Sequence, residues 1–148
     1  MKVYELARES ISRAREEVFL SATEILEKEI QKHFVVFTNG KYDQVKAGKE
    51  NLEFWIYSEE KSDWVKPEEL SGGVIDEFYL ACRLALAKLI FGDKKPPLIL
   101  DDPFGNFDPI RLAKTLDFFK KLGEEYQIII FTLKDSYDEV ASNVIVLD

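Results

Sequence analysis

The stretch "PLILDDPFGNFDPIRLAKTLDFFKKLGEEYQIIIFT" constrains the fold of this chain more than any other. "PLIL" and "QIIIFT" are short continuous apolar runs, the pattern of strands covered on both faces. Between them "PIRLAKTLDFFKKL" has a helical pattern that ends at Gly123. "SYDEVAS" follows as a short helix and "NVIVL" as a final strand. Strand, helix, strand, helix, strand predicts parallel pairing with right-handed crossovers, and such sheets gather ligands at the carboxyl ends of their strands. Asp101 and Asp102 stand at one such end and Thr132 at another. Adjacent carboxylates at the mouth of a sheet repel each other unless something positive lies between them, so the stretch calls for a cation or a partner.

Upstream, Val3 to about Lys32 contains no Gly or Pro, and Ala7, Ile11, Ala14, Val18, Ala22 and Ile25 step by 4, 3, 4, 4 and 3. That near-heptad stripe predicts one long amphipathic helix over residues 1–33, packed on its own sheet or forming the root of a coiled coil. "HFVVF" and "KYDQV" flank Asn39-Gly40, a dipeptide suited to a tight hairpin, and "LEFWIY" follows. Residues 34 to 57 are therefore expected to form a small antiparallel meander, followed by a polar turn through Trp64 and Pro67. "VIDEFYLACRLALAKLIF" is apolar nearly all round, as in a helix buried in a domain. Residues 34–148 make one lobe.

With 148 residues the chain can bury about 70% of its unfolded surface in a single core. Its net charge of −8 argues against an extended phosphate-binding face, so any DNA would be held through other segments. The lone cysteine, Cys82, cannot form an internal disulfide and fits a small hydrophobe in a reducing, cytoplasmic compartment. No signal peptide or membrane span is indicated. A single histidine, His33, rules out any site needing two imidazole ligands.

Three short motifs carry chemistry. Leu70, Ser71, Gly72 and Gly73 open the apolar helix. Two glycines admit close backbone approach and the first-turn N–H groups face outward, so "LSGG" is either an anion site or a turn with Ser71 as N-cap. Asp101 suits a hard cation such as Mg²⁺ and Asp102 can orient an attacking water; alternatively, both acids merely cap the next element or meet surface cations. Asp108, followed by Pro109, is a helix-start signal sufficient in itself.

Taken in order, LSGG, "LILD" with a second acid, and a loop ending in Asp resemble the C-terminal head lobe of ABC-type ATPases, more closely the structural-maintenance-of-chromosomes (SMC) class and its DNA-repair relatives. The resemblance implies an α/β lobe with a parallel sheet and flanking helices, preceded by a meander and a long helix. It also implies roles: Asp101 as the magnesium-associated Walker B residue, Asp102 in the catalytic position, and Asp108 at the end of the D-loop. Ser71, Gly72 and Gly73 would reach the γ-phosphate of ATP held by the opposite head. The chain departs from the family's pattern in having Asp102 where most members have Glu, and Val74 where many have Gln. Leu133 and Lys134 stand where a switch histidine is usual. Lys134 either meets the phosphate as a point charge or is a solvated lysine.

No G-x-x-x-x-G-K-[ST] loop occurs in the chain. The resemblance places that Walker A loop on an N-terminal lobe, joined through a coiled coil or carried on a separate chain. The expectation is half of a Mg-ATP hydrolysing head, inactive as this lobe alone, which pairs with a second head in ATP-dependent dimerisation serving DNA repair or chromosome maintenance. A non-hydrolysing, ATP-gated dimerisation module is the alternative. A phosphoacceptor receiver domain, suggested by the clustered acids with Thr132 and Lys134, fails on element order.

Overall fold

A computed structural model describes residues 2–48 and 51–146, and its first element, α1, spans Lys2–Phe37. The helix therefore runs past the expected end near Lys32 and absorbs "HFVVF". Leu26, Ile30, Phe34 and Phe37 step by 4, 4 and 3 and are all buried, so the segment continues a helical stripe. They pack on α2, Gly72–Phe91, where the Phe34 and Phe78 rings meet edge to face with centroids 5.5 Å apart. Burying each Phe is worth about 1.5–3 kcal/mol, against a β-propensity scale spanning about 1 kcal/mol in all. Packing wins.

Asn39-Gly40 accordingly closes a helix rather than a hairpin. Both residues have positive φ, 56° and 81°, and the Gly40 N–H donates to the Val35 carbonyl at 2.8 Å. The meander lies further on: β1 is Val45–Ala47, β2 Phe54–Ser58 and β3 Asp63–Val65, antiparallel in that order. Trp64, expected in a turn, lies in β3 and pairs with Tyr57 of β2, and Ile56 sits between Val45 and Val65 at full burial. The Glu27 carboxylate accepts the Ala47 N–H at 2.9 Å, tying the meander to α1.

The second sheet has two strands, β4 (Leu98–Asp101) and β5 (Ile128–Phe131), parallel as expected, with α3 (Pro109–Leu122) between them in sequence. A short 3₁₀ segment covers Asp135–Val140. The expected last strand does not form among the described residues. Val144, Ile145 and Val146 are exposed beside no pairing strand, and Leu147 lies outside the described residues. The helix expected to be buried all round hides one face: Val74, Phe78, Ala81 and Ala85 are buried, whereas Tyr79, Leu86, Ile90 and Phe91 stay exposed because α1 covers only the other side. On α1 the stripe read from the sequence is also exposed at Ile11, Val18 and Ile25, so the front half of that helix is uncovered by the described residues. Among the described residues no helix is long and apolar enough to cross a membrane.

Candidate functional site

The two faces of the β4–β5 sheet differ. Leu98, Leu100, Ile128 and Ile130 pack on the core. Their alternates, Ile99, Ile129 and Phe131, are exposed, and Asp101 stands on that same open face opposite Phe131. Asp101 thus ends an uncovered apolar surface. Asp102, the next residue, leaves the strand with φ 36°, a left-handed conformation rare for a side-chain-bearing residue. Its backbone N–H donates to the Phe131 carbonyl at 2.8 Å, and its side chain accepts the Thr132 hydroxyl at 3.3 Å. That backbone turn points the two neighbouring carboxylates in different directions.

The loop from Asp102 to Asp108 is held by its aromatics. Phe104 is fully buried and clusters with Phe107, Phe119 and Tyr137, with centroids 5.2–5.7 Å apart. Burial, and then the Asp102 carboxylate, hold the Tyr137 phenol above its usual value. Lys134 reaches over the loop: its ammonium donates to the Gly105 carbonyl at 3.3 Å and its backbone N–H to the Thr132 hydroxyl at 3.1 Å. Asp108 caps α3, accepting the N–H groups of Ile110 and Arg111 at 3.0 Å each, with Pro109 in the first turn.

Leu70, Ser71, Gly72 and Gly73 form the entrance to α2. Ser71 occupies the N-cap position with its carbonyl accepting from Val74 and Ile75, yet its hydroxyl makes no capping bond and is exposed. Nothing lies within 4 Å of where a Gly72 side chain would start. At Gly73 a Cβ would collide with the Arg111 guanidinium, so a side chain there would displace Arg111 from its present position.

Four residues that the sequence reading passed over join these motifs. The Asn106 amide donates to Asp76 at 2.8 Å, and Arg111 Nε lies 3.1 Å from Asp108 and 3.7 Å from Glu77. The loop after β4 is thus stitched to the α2 entrance. Glu77 is buried with neither carboxylate oxygen hydrogen bonded, and burial pushes it up to about 7. A signal was available: Val74, Phe78 and Ala81 set the buried face of α2, and Glu77 falls on it.

His33 and Cys82 stand apart from the site. Burial lowers the imidazole to about 4 and raises the thiol to about 12, which suits packing roles. Among the described residues no group of three or more His, Cys, Asp or Glu is placed to hold a metal ion. Asp101 and Asp102 fit the sparser demand of Mg²⁺, which takes one or two carboxylates and completes its shell with water and phosphate oxygens.

No protein-family model matches the chain. The DNA double-strand break repair Rad50 ATPase of Archaeoglobus fulgidus is 34% identical over 145 residues, 90% of this chain and 16% of that protein. An uncharacterized protein of Mycobacterium tuberculosis is 37% identical over 78 residues, 52% of this chain and 9% of that protein. The chain therefore spans less than a fifth of the length of either relative. Among solved structures, one described as "Structural biochemistry of ATP-driven dimerization and DNA stimulated activation of SMC ATPases" superposes with a TM-score of 0.76 at 22% identity, covering 90% of this chain and 82% of that one.

Proposed function

For a chain that is a C-terminal head lobe of the SMC/Rad50 type, we infer that it works as the Walker B half of a composite ATPase head. The observation that carries this is the open apolar face of Ile99, Ile129 and Phe131 ending at Asp101 and Asp102. A two-stranded sheet with one bare face is marginal by itself, and a Walker A lobe would cover it. Asp101 would then hold Mg²⁺ on the nucleotide, and Asp102 would orient the water for in-line attack on the γ-phosphate. Ser71, Gly72 and Gly73, with an uncapped, exposed hydroxyl at the start of α2, suit the γ-phosphate of ATP on a second head. The exposed front half of α1 suits a coiled coil, and the repair role named for the Archaeoglobus fulgidus relative suggests DNA work, engaged through other segments.

The alternative, a gated dimerisation module with little turnover, draws on Asp102 being tied back by Thr132 and Lys134 being engaged with Gly105. One experiment separates both readings from a merely structural one. This chain, combined with a Walker A lobe, is assayed for magnesium-dependent ATP binding, association and turnover, alone and with Asp101→Asn, Asp102→Asn or Ser71→Arg. The hydrolase reading expects binding lost with Asp101→Asn, turnover slowed about 10²–10⁴-fold with Asp102→Asn, and association lost with Ser71→Arg. The module reading expects association without turnover. Unchanged behaviour in all three variants contradicts both.

A further inference from the structure

Arg111 lies at the junction of three features that the head-lobe reading treats separately. Its Nε is 3.1 Å from the Asp108 cap and 3.7 Å from Glu77, and its Nη1 fills the space beside Gly73 that any side chain there would need. Glu77 is 1% exposed with both oxygens unpaired, so its countercharge is incomplete in this arrangement. A small shift of one guanidinium would close the Glu77 pair at the expense of the Asp108 pair, or the reverse. Room for the shift exists, because a cavity of about 240 Å³ opens beside these groups, lined among others by Phe37, Thr38, Asn39, Glu77, Arg111 and Lys114.

We propose that Arg111 is a positioning residue that couples the α2 entrance to the loop between β4 and α3, its guanidinium dividing between buried Glu77 and Asp108 and thereby setting the approach to Gly73. An anion arriving at Ser71–Gly73 meets this guanidinium first and draws it from Asp108, so occupancy of one motif is felt at the other. The groups facing Glu77 are Arg111 and Asp108 from α3 and its cap, Asp76 from α2 itself and Lys114 across the cavity, while the end of α1 presents only uncharged residues. Proton uptake by Glu77 therefore acts as a second control: protonated, it releases Arg111 to Asp108; ionised, it competes for it.

The proposal rests on the head-lobe reading only for its second test. In the first, the 148-residue chain alone is titrated by NMR from about pH 5.5 to 8.5, following Arg111 Nε–Hε and the Gly73 and Ile110 amides. All three should move together with one midpoint near the Glu77 value of about 7, and Glu77→Gln should abolish the shared transition. Should that variant not fold, Glu77→Asp should move the midpoint instead. An Arg111 signal that does not titrate, or a transition that survives Glu77→Gln, overturns the proposal. In the second, ATP-dependent association of reassembled heads should weaken by about tenfold for Arg111→Met. Arg111→Lys should recover stability but only part of the association, because a point charge cannot serve two carboxylates as a fork does. Normal association in Arg111→Met overturns the coupling role. Failure of the unaltered heads to associate contradicts the head-lobe reading, and the NMR test still decides the Arg111 coupling.

Discussion

The two sheets of this molecule are finished to different degrees. Around β2, Ile56 is fully buried, and α1 is held edge to face on both sides, Phe34 on Phe78 of α2 and Phe37 on Phe118 of α3. Around β4 and β5, one face packs on the core with its residues only partly buried and the other presents Ile99, Ile129 and Phe131 to solvent; Leu133 and Val144 to Val146 are exposed as well. A chain with 46% hydrophobic residues had apolar side chains to spare, yet the bare surface sits beside the Asp101–Asp102 strand end. The first region supplies stability and the second leaves an apolar face open.

The largest expected break in that contrast is Phe34→Ala. Removing a fully buried ring that meets both Tyr42 and Phe78 should cost about 3–5 kcal/mol in urea unfolding of the isolated chain, enough to unfold a marginal domain. Next comes the pH dependence of the packed region, where two buried groups act in opposite directions. Glu77 is raised from 4.5 to about 7, so its contribution is complete below pH 4.5 and lost as pH rises to about 7. His33 is lowered from 6.5 to about 4, chiefly by burial, so its contribution is complete above pH 6.5 and lost as pH falls to about 4. The windows overlap and the slopes oppose. Thermal midpoints should therefore change little across them, Glu77→Gln should unmask an acid loss of about 1–3 kcal/mol, and the double variant with His33→Gln should be flat again.

Asp108→Ala should cost about 1 kcal/mol, the usual value of an N-cap, read as a lowered denaturation midpoint. Smallest of all, Ile129→Asn on the open face should change the stability of the isolated chain by no more than about 0.5 kcal/mol while preventing association with a Walker A lobe. A stability loss comparable to that of Phe34→Ala would mean that this face is covered within the chain itself.

How legible this was in the sequence depended on where the information lay. Parallel pairing of β4 with β5, the Pro109–Leu122 helix and its Asp108 cap were readable because apolar runs, capping residues and glycine act locally. The end of α1 was not, because "HFVVF" has strand-forming residues whose helical state is decided by Phe78, far along the chain. Asn39-Gly40 has the positive φ that a hairpin turn and a helix end both need, so the dipeptide alone does not tell the two apart. Val144, Ile145 and Val146 have the composition of a strand but pair with no strand among the described residues. At the site, Asp101, Asp102, Asp108 and the LSGG glycines are visible as motifs and Glu77 as a charge on the apolar face of α2, whereas Asp76, Asn106 and Arg111 matter only through contacts that folding creates.

Hydrogen exchange on this chain before and after addition of a Walker A lobe and Mg-ATP tests the central claim most directly, because it reads both sheets in one experiment. New protection is expected in residues 98–101 and 128–133, with the amides of β1 to β3 unchanged. Protection confined to the meander and α2, with residues 98–101 and 128–133 exchanging as before, would contradict the claim that a Walker A lobe binds on the open face beside Asp101.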